Sequence, residues 1–327
     1  MIGGDRRRIG EPQYILRCFR FGLDWSQVTN EIQTSEHFTD VPGGKIYSKL
    51  WILFKIFGWI PVNSRLSLLI PLFGTAVGAW TAHNAGVSYS AFLPNVIAIL
   101  LGVPLIFWSA QVTAFVKRKL NFVSWLALIL IAMTLLSPGT GSVHRWIPLG
   151  PLRLNASMAL TPILLFALIY GQKFQKILMS VILALIFIFQ PDAGQATAFA
   201  FAAIVIFAFE QTWPMVLSLL VLAALAWFRP DPLPAVEHVE RILHLADGQG
   251  VLAFTAGLLS VFLATFHFLW KCFKGSNTQI RVLSASYFVL FAATYAVTEH
   301  GNFPVPIIGA GAGPVLGWVL AVTLLEL

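Results

Sequence analysis

From about residue 66 onward, long apolar runs alternate with short polar breaks. The runs fall near 66–82, 92–116, 121–136, 156–170, 175–190, 195–210, 213–228, 250–270, 282–298 and 303–325, which predicts an all-α integral membrane protein with ten transmembrane helices. Several runs are shorter than the roughly 20 residues of a straight crossing, so their ends are placed to within a few residues. Residues 1–49 are polar by contrast and read as a cytosolic N-terminal tail. Within it, Ile15, Leu16, Phe19, Leu23 and Trp25 sit among Arg17 and Arg20, a pattern suited to a short helix lying on anionic lipid or packed on the protein. Residues 50–327 form one polytopic domain without internal repeats, and its first stretch, 50–62, carries Lys55 and reads as an interfacial lead-in.

Charge orients this pattern. With the N-terminus inside, 17 of the 21 Lys and Arg lie on the inner side: those up to Arg65, then Lys117, Arg118, Lys119, Lys173, Lys176, Lys271, Lys274 and Arg281. Only Arg145, Arg153, Arg229 and Arg241 remain outside, which places both termini of a multi-pass membrane protein in the cytosol. The composition agrees, at 57% hydrophobic and 11% charged residues with a mean hydropathy of +0.79. The net charge of +7 is thereby a topology signal and not a nucleic-acid footprint. Cys18 and Cys272 both fall on the inner side, where thiols stay reduced, and no disulfide is expected.

The same orientation gathers the polar loops on the outer face. The first is Gly141-Ser-Val-His-Arg-Trp-Ile-Pro-Leu-Gly-Pro-Leu-Arg153, where proline and glycine forbid a continuous helix and present Arg145, Trp146 and Arg153 at a membrane surface. Such a loop suits an anionic, amphipathic ligand, with Arg145 and Arg153 offering planar forks; it equally suits a headgroup anchor. In Gln190-Pro-Asp-Ala-Gly-Gln-Ala196, Asp192 is either a helix N-cap or a substrate contact. In Arg229-Pro-Asp-Pro-Leu-Pro234, Asp231 is held on extended backbone as a candidate general base or as a loop breaker. Over 235–246, Val236, Val239, Leu243 and Ala246 recur at helical spacing opposite Glu237, Glu240, Arg241 and His244, which predicts an outer-face amphipathic helix with a Glu237–Arg241 pair. His238, His244 and the nearby acids follow no metal-ligand spacing, so no metal site is assigned.

These loops, followed by Val305-Pro-Ile-Ile-Gly-Ala-Gly-Ala-Gly313, resemble in their order the successive signatures of the SEDS family, the FtsW-, RodA- and SpoVE-like proteins of cell division and cell shape. The resemblance runs from about residue 66 to the C-terminus. It implies a peptidoglycan glycosyltransferase that polymerises an undecaprenyl-pyrophosphate-linked disaccharide, taken sideways from membrane lipid and usually in partnership with a single-span transpeptidase, a class B penicillin-binding protein. On that reading Asp231 is catalytic, and Arg145, Trp146, Arg153, Asp192, Glu237 and His238 are the substrate-binding candidates. No cofactor is expected beyond a weakly bound divalent cation such as Mg or Mn.

The chain also departs from the family pattern. Where the family has Gln-Pro-Ser-Glu-x-x-Lys, this chain has Asn155-Ala-Ser-Met-Ala-Leu-Thr161, so that an acid and a lysine have become Met158 and Thr161. The family's Gly-Gly-Ser-Ser has become Gly311-Ala-Gly-Pro314, and the later part of its large outer loop is missing. Scaffold signals are kept better than site signals. Two alternatives to a polymerase therefore stand: a catalytically silent protein that binds a lipid-linked glycan or a transpeptidase, and a flippase for such a glycan, motivated by the cationic rim and by span positions such as Gln111.

Overall fold

A computed structural model describes residues 64–326 apart from Ser142, Pro151 and Pro230. The tail at 1–49, the lead-in at 50–62 and Cys18 lie outside the described residues. After a helical turn at Ser64–Ser67 come α1 (Leu69–Asn84), α2 (Leu93–Phe107), α3 (Ser109–Arg118) and α4 (Leu120–Met133). A hairpin follows, β1 (Trp146–Leu149) antiparallel to β2 (Leu152–Asn155), with Trp146 opposite Asn155. Then come α5 (Ala156–Tyr170), α6 (Lys173–Phe189), α7 (Ala193–Phe209), α8 (Trp213–Ala226), two short helices α9 (Glu237–Glu240) and α10 (Ile242–Gly248), and finally α11 (Val251–Lys274), α12 (Thr278–Thr298) and α13 (Ala312–Thr323).

Among the described residues, four helical stretches are long and apolar enough to cross a membrane: Arg65–Asn84, Tyr89–Phe107, Val251–Lys274 and Thr278–Thr298. Shorter apolar helices at Ala156–Tyr170, Ala193–Phe209, Trp213–Ala226 and Ala312–Thr323 fill the bundle between them. At its centre lies α7, whose Ala196, Ala198, Ala200, Ala202 and Ala203 are all buried; small side chains let α8 and α12 approach its backbone. Some interior hydroxyls find backbone acceptors on other helices, as where Ser286 Oγ donates to the Ala202 carbonyl at 2.8 Å and Tyr287 Oη to that of Pro162 at 2.9 Å. Leading side chains fix several helix starts: Asn155 accepts from Met158 N, Asp192 from Gln195 N and Asn277 from Ile280 N.

Three expected elements are drawn differently. The run at 92–116 breaks after Phe107, and α3 then stands bent by 93° from the helix that follows it. The reason is composition: α3 buries Ser109, Thr113 and Val116 but exposes Gln111, Phe115 and Lys117, the pattern of a surface helix. Gln111, read from the sequence as a polar position inside a span, is therefore exposed. The run at 303–325 is helical only over α13, because Pro304, Pro306 and the glycines after Ile308 keep 303–311 irregular. The expected helix over 235–246 is split at Arg241, where φ is −122° and ψ 26°, into α9 and α10. Glu237 and Arg241 form no ion pair; instead Glu240 Oε2 accepts from Val236 N at 2.7 Å.

The irregular 303–311 segment is buried, and one side chain secures it. Asn95 of α2, fully buried, donates from Nδ2 to the carbonyls of Ile307 at 3.2 Å and Gly309 at 2.9 Å, while its Oδ1 accepts from Gly311 N at 2.6 Å. Gly78 of α1 admits the same segment, since a Cβ there would collide with the Ile308 carbonyl oxygen. Ile307 sits at φ 68°, a conformation disfavoured for a β-branched residue and held here by the packing around it.

Candidate functional site

Three helix-terminal loops converge at the end of the bundle where 303–311 is inserted. Arg145 precedes β1, Asp192 caps α7, and Asp231 lies between α8 and α9. Arg145 Nη1 lies 2.8 Å from Asp231 Oδ2, and its Nε lies 3.3 Å from Asp192 Oδ2. Its Nη2 donates to the Pro191 carbonyl. The guanidinium also stands 5.5 Å from the centroid of the Phe303 ring, which itself packs against Gly194 so closely that a Cβ there could not be fitted. One cation is thus held by two carboxylates, a carbonyl and an aromatic face.

This overturns the expectation that Arg145 is displayed at a surface, because the residue is 1% exposed. Trp146, its neighbour in β1, is half-buried, while Arg145 pairs with the two aspartates inside. Burial acts on the carboxylates in turn. Desolvation pushes the Asp192 carboxyl above its ordinary range, opposed by the Arg145 charge and the hydrogen bond from Gln195 N. Glu240 is raised for the same reason, and the His238 imidazole is lowered by its partial burial. Asp231 spends one oxygen on Arg145, and its Oδ1 accepts from Leu233 N at 2.9 Å, an Asx turn that fixes the carboxylate plane.

The other candidates lie apart from this cluster. Arg153 is exposed and donates to Thr140 Oγ1 at 2.9 Å; together with Trp146, Ser137 and Pro148 it lines a small pocket of about 80 Å³. Glu237 is exposed, and the His238 carbonyl accepts from Ala310 N at 3.1 Å, so His238 helps hold the 303–311 segment. Met158 and Thr161 occupy the first turns of α5, where the Thr161 hydroxyl donates to the Ser157 carbonyl and no charge is present. Asn302 Nδ2 donates to the Leu233 carbonyl at 2.8 Å, which ties the Asp231 turn to a polar cleft of about 460 Å³ lined by Arg241, His244, Glu299 and His300.

Several residues of this region were not singled out from the sequence. Gln190 donates to the Ile131 carbonyl and Thr134 Oγ1 and accepts from Ser157 Oγ, which joins α4, α5 and α6 behind Asp192. Asn95 and Phe303 complete the surroundings. A lone amide in the apolar stretch of α2 was the available signal for Asn95, since buried amides inside apolar helices carry obligatory partners. Among the described residues, no three His, Cys, Asp or Glu side chains gather as a metal site, so the divalent cation implied by the resemblance finds no ligand set there.

No family model matches the chain, and no curated protein matches it. Solved structures do. The Thermus thermophilus rod shape determining protein RodA is 15% identical, with 82% of this chain and 96% of that chain covered at a TM-score of 0.65. A variant of that RodA with one aspartate replaced by alanine matches at 14% identity over 82% of this chain and 97% of that chain, with a TM-score of 0.63. A chain from a peptidoglycan synthase complex, described for its structural coordination of polymerization and crosslinking, matches at 15% identity over 79% of this chain and 96% of that chain, with a TM-score of 0.58. The likeness is one of fold: this chain is a multi-pass membrane protein with the fold of the RodA structures.

Proposed function

We propose that this protein is a membrane glycosyltransferase that polymerises a lipid-linked peptidoglycan disaccharide in cell-wall synthesis, with Asp231 as the general base. The observation that carries the reading is the fixed Asp231 carboxylate, in a turn that Asn302 joins to a polar cleft at one end of an apolar bundle. In the reaction, an acceptor sugar hydroxyl attacks the anomeric carbon of the donor. As that C–O bond forms, the bond to the pyrophosphate oxygen breaks, the leaving group takes the electron pair, and Asp231 takes the hydroxyl proton. Asp231 Oδ2 is buried against Arg145, while Oδ1 accepts only from Leu233 N and keeps a second acceptor position for the acceptor hydroxyl. Arg145 is a positioning residue here: it orients Asp231 and keeps Asp192 as a partner when Asp231 becomes neutral.

The finer reading includes ten spans with both termini in the cytosol of a bacterial inner membrane, and a single-span transpeptidase as partner. Support for the partner comes from the relative described in a complex that couples polymerization to crosslinking. A second reading, a silent protein that binds the lipid-linked glycan, is favoured by two observations: Arg145 and Asp231 neutralise each other, and the positions of the family's acid and lysine hold Met158 and Thr161.

The test is glycan-chain formation by the purified protein given lipid-linked disaccharide-peptide and a divalent cation, with and without a co-purified transpeptidase. Chains are expected, and Asp231→Asn is expected to lower their rate by about 10²–10⁴-fold while substrate binding is kept. Binding without chains under every condition would favour the silent reading. Full activity of the variant would remove Asp231 from the mechanism.

A further inference from the structure

At the opposite end of the bundle the charges do not balance. Among the described residues only two carboxylates lie there, Glu210 and Glu326, and both are taken: Lys176 Nζ is 2.5 Å from Glu210 Oε1, and Lys271 Nζ is 2.7 Å from Glu326 Oε1. Lys117, Arg118, Lys119 and Lys173 are exposed and have no carboxylate partner among the described residues. Each would gain from an external anion.

Their placement says which kind. α3 is bent by 93° from α4, so wherever α4 crosses the membrane α3 runs along its plane. It is anchored to the end of α13 by Thr113 Oγ1, which donates to the Thr323 carbonyl at 2.8 Å. Lys117, Arg118 and Lys119 form the corner between α3 and α4. Lys117 Nζ lies 4.6 Å from the centroid of the Tyr170 ring at the end of α5, which brings the corner beside Lys173 at the start of α6. Close in sequence to these cations, Phe115, Phe122 and Phe174 are exposed to between 49% and 76%. Cations flanked in sequence by exposed aromatic side chains match the boundary between headgroup and acyl chain, where phosphate is met on one side and hydrocarbon on the other.

We propose that the α3–α4 corner and the start of α6 form a binding platform for anionic phospholipid headgroups, with Lys117, Arg118, Lys119 and Lys173 on the phosphates and Phe115, Phe122 and Phe174 in the acyl boundary. The proposal is independent of any activity at the Asp231 end. It predicts that lipid composition acts on the protein through this platform.

Retention of lipid by the full-length protein tests it, measured by native mass spectrometry after delipidation and titration with phosphatidylglycerol or phosphatidylcholine. Phosphatidylglycerol should be preferred. Replacing all four cations with Gln should weaken its retention by about tenfold or more, with the thermal midpoint in detergent unchanged. Arg229→Gln at the other end should leave retention as it is. Equal retention of the two lipids would overturn the proposal and point to neutralisation within the chain, for which residues 1–63 hold further carboxylates. An undiminished preference in the four-Gln protein would also overturn it. So would complete displacement of the lipid by millimolar inorganic phosphate, because the site would then be one for free phosphate.

Discussion

The two ends of the bundle treat charge in opposite ways. At one, lysines outnumber acids, and each Lys–Glu pair keeps an open side: Glu210 is 32% exposed though its partner Lys176 is only 9%, and Lys271 and Glu326 are 20% and 27% exposed. At the other, a single arginine is sealed between two aspartates, with side-chain exposures of 2%, 5% and 9%. Exposed pairs are screened by water and ordinarily contribute about 0–1 kcal/mol. A sealed pair contributes little net stability, yet it is costly to break, because the group left behind is a desolvated charge. The first end therefore tolerates change and is open to outside anions. The second is rigid, and a rigid end is where a carboxylate can be held in one orientation for chemistry.

The largest way to break this contrast is Arg145→Ala. It leaves Asp192 and Asp231 facing each other in a desolvated site and is expected to cost about 3–5 kcal/mol. From the sequence alone, Arg145→Ala is expected to weaken substrate binding without unfolding; the burial of the residue reverses the second half of that expectation. Thermal denaturation in detergent provides the check, and an unchanged midpoint would mean that the cluster is not sealed in solution. The double variant Arg145→Ala with Asp192→Asn should recover part of the loss, since one of the stranded charges is gone.

Next in size is Asn95→Ala, which removes the clamp on 303–311 without touching any charge. The carbonyls of Ile307 and Gly309 and the Gly311 N–H lose their partner in a buried place, an expected cost of about 1–3 kcal/mol. Hydrogen exchange at Gly311 and its neighbours should accelerate while exchange in the middle of α7 stays slow. Uniform acceleration would show that the segment and the bundle open together.

Much of the helical frame was legible because its signal is local. The apolar runs that predict α5, α7 and α8 fall within a few residues of the observed helices. The irregular segment was legible in part: Pro304, Pro306, Gly309 and Gly311 are breakers in plain view, yet the apolar residues among them read as the start of a span. The turn into α3 had no such marker. Its signal was the polar spacing of Ser109, Gln111 and Thr113, easily lost between two strongly apolar stretches. For the site, Arg145, Asp192 and Asp231 were each singled out by loop chemistry, but their convergence is a property of how three loops meet. No spacing along the chain encodes it.

A gentler probe of the sealed end is pH. Desolvation raises the Asp192 carboxyl above its ordinary value of 3.8, so the unfolded chain gives up this proton first as pH rises. The contribution of Asp192 is therefore greatest below 3.8 and is lost as pH climbs toward the raised value, with a slope of at most about 1.4 kcal/mol per unit. Glu240 acts in the same direction from 4.5. His238 acts oppositely: its lowered imidazole means that protonation favours the unfolded chain, so its contribution is restored as pH rises through 6.5. Asp192→Asn keeps a capping oxygen for Gln195 N and removes the titration. Stability of the variant between pH 4 and 6 should fall less with rising pH than that of the parent, and identical slopes would mean that Asp192 stays ionised throughout.

The smallest expected effect is at the open end. Lys271→Ala breaks the 2.7 Å pair with Glu326, but Glu326 is near water and can be hydrated where Lys271 was. The loss should be under about 1 kcal/mol, and it should shrink further in high salt, because exposed charges are screened over about 8–10 Å at moderate ionic strength. Arg145→Ala should show much less salt dependence, since the Arg145 side chain is only 2% exposed and its charges meet inside the fold. The comparison of the two ends thus becomes a comparison of two salt titrations on two variants. If Lys271→Ala proves as costly and as insensitive to salt as Arg145→Ala, the distinction between an open end and a sealed one fails, and with it the reason for placing the chemistry at Asp231.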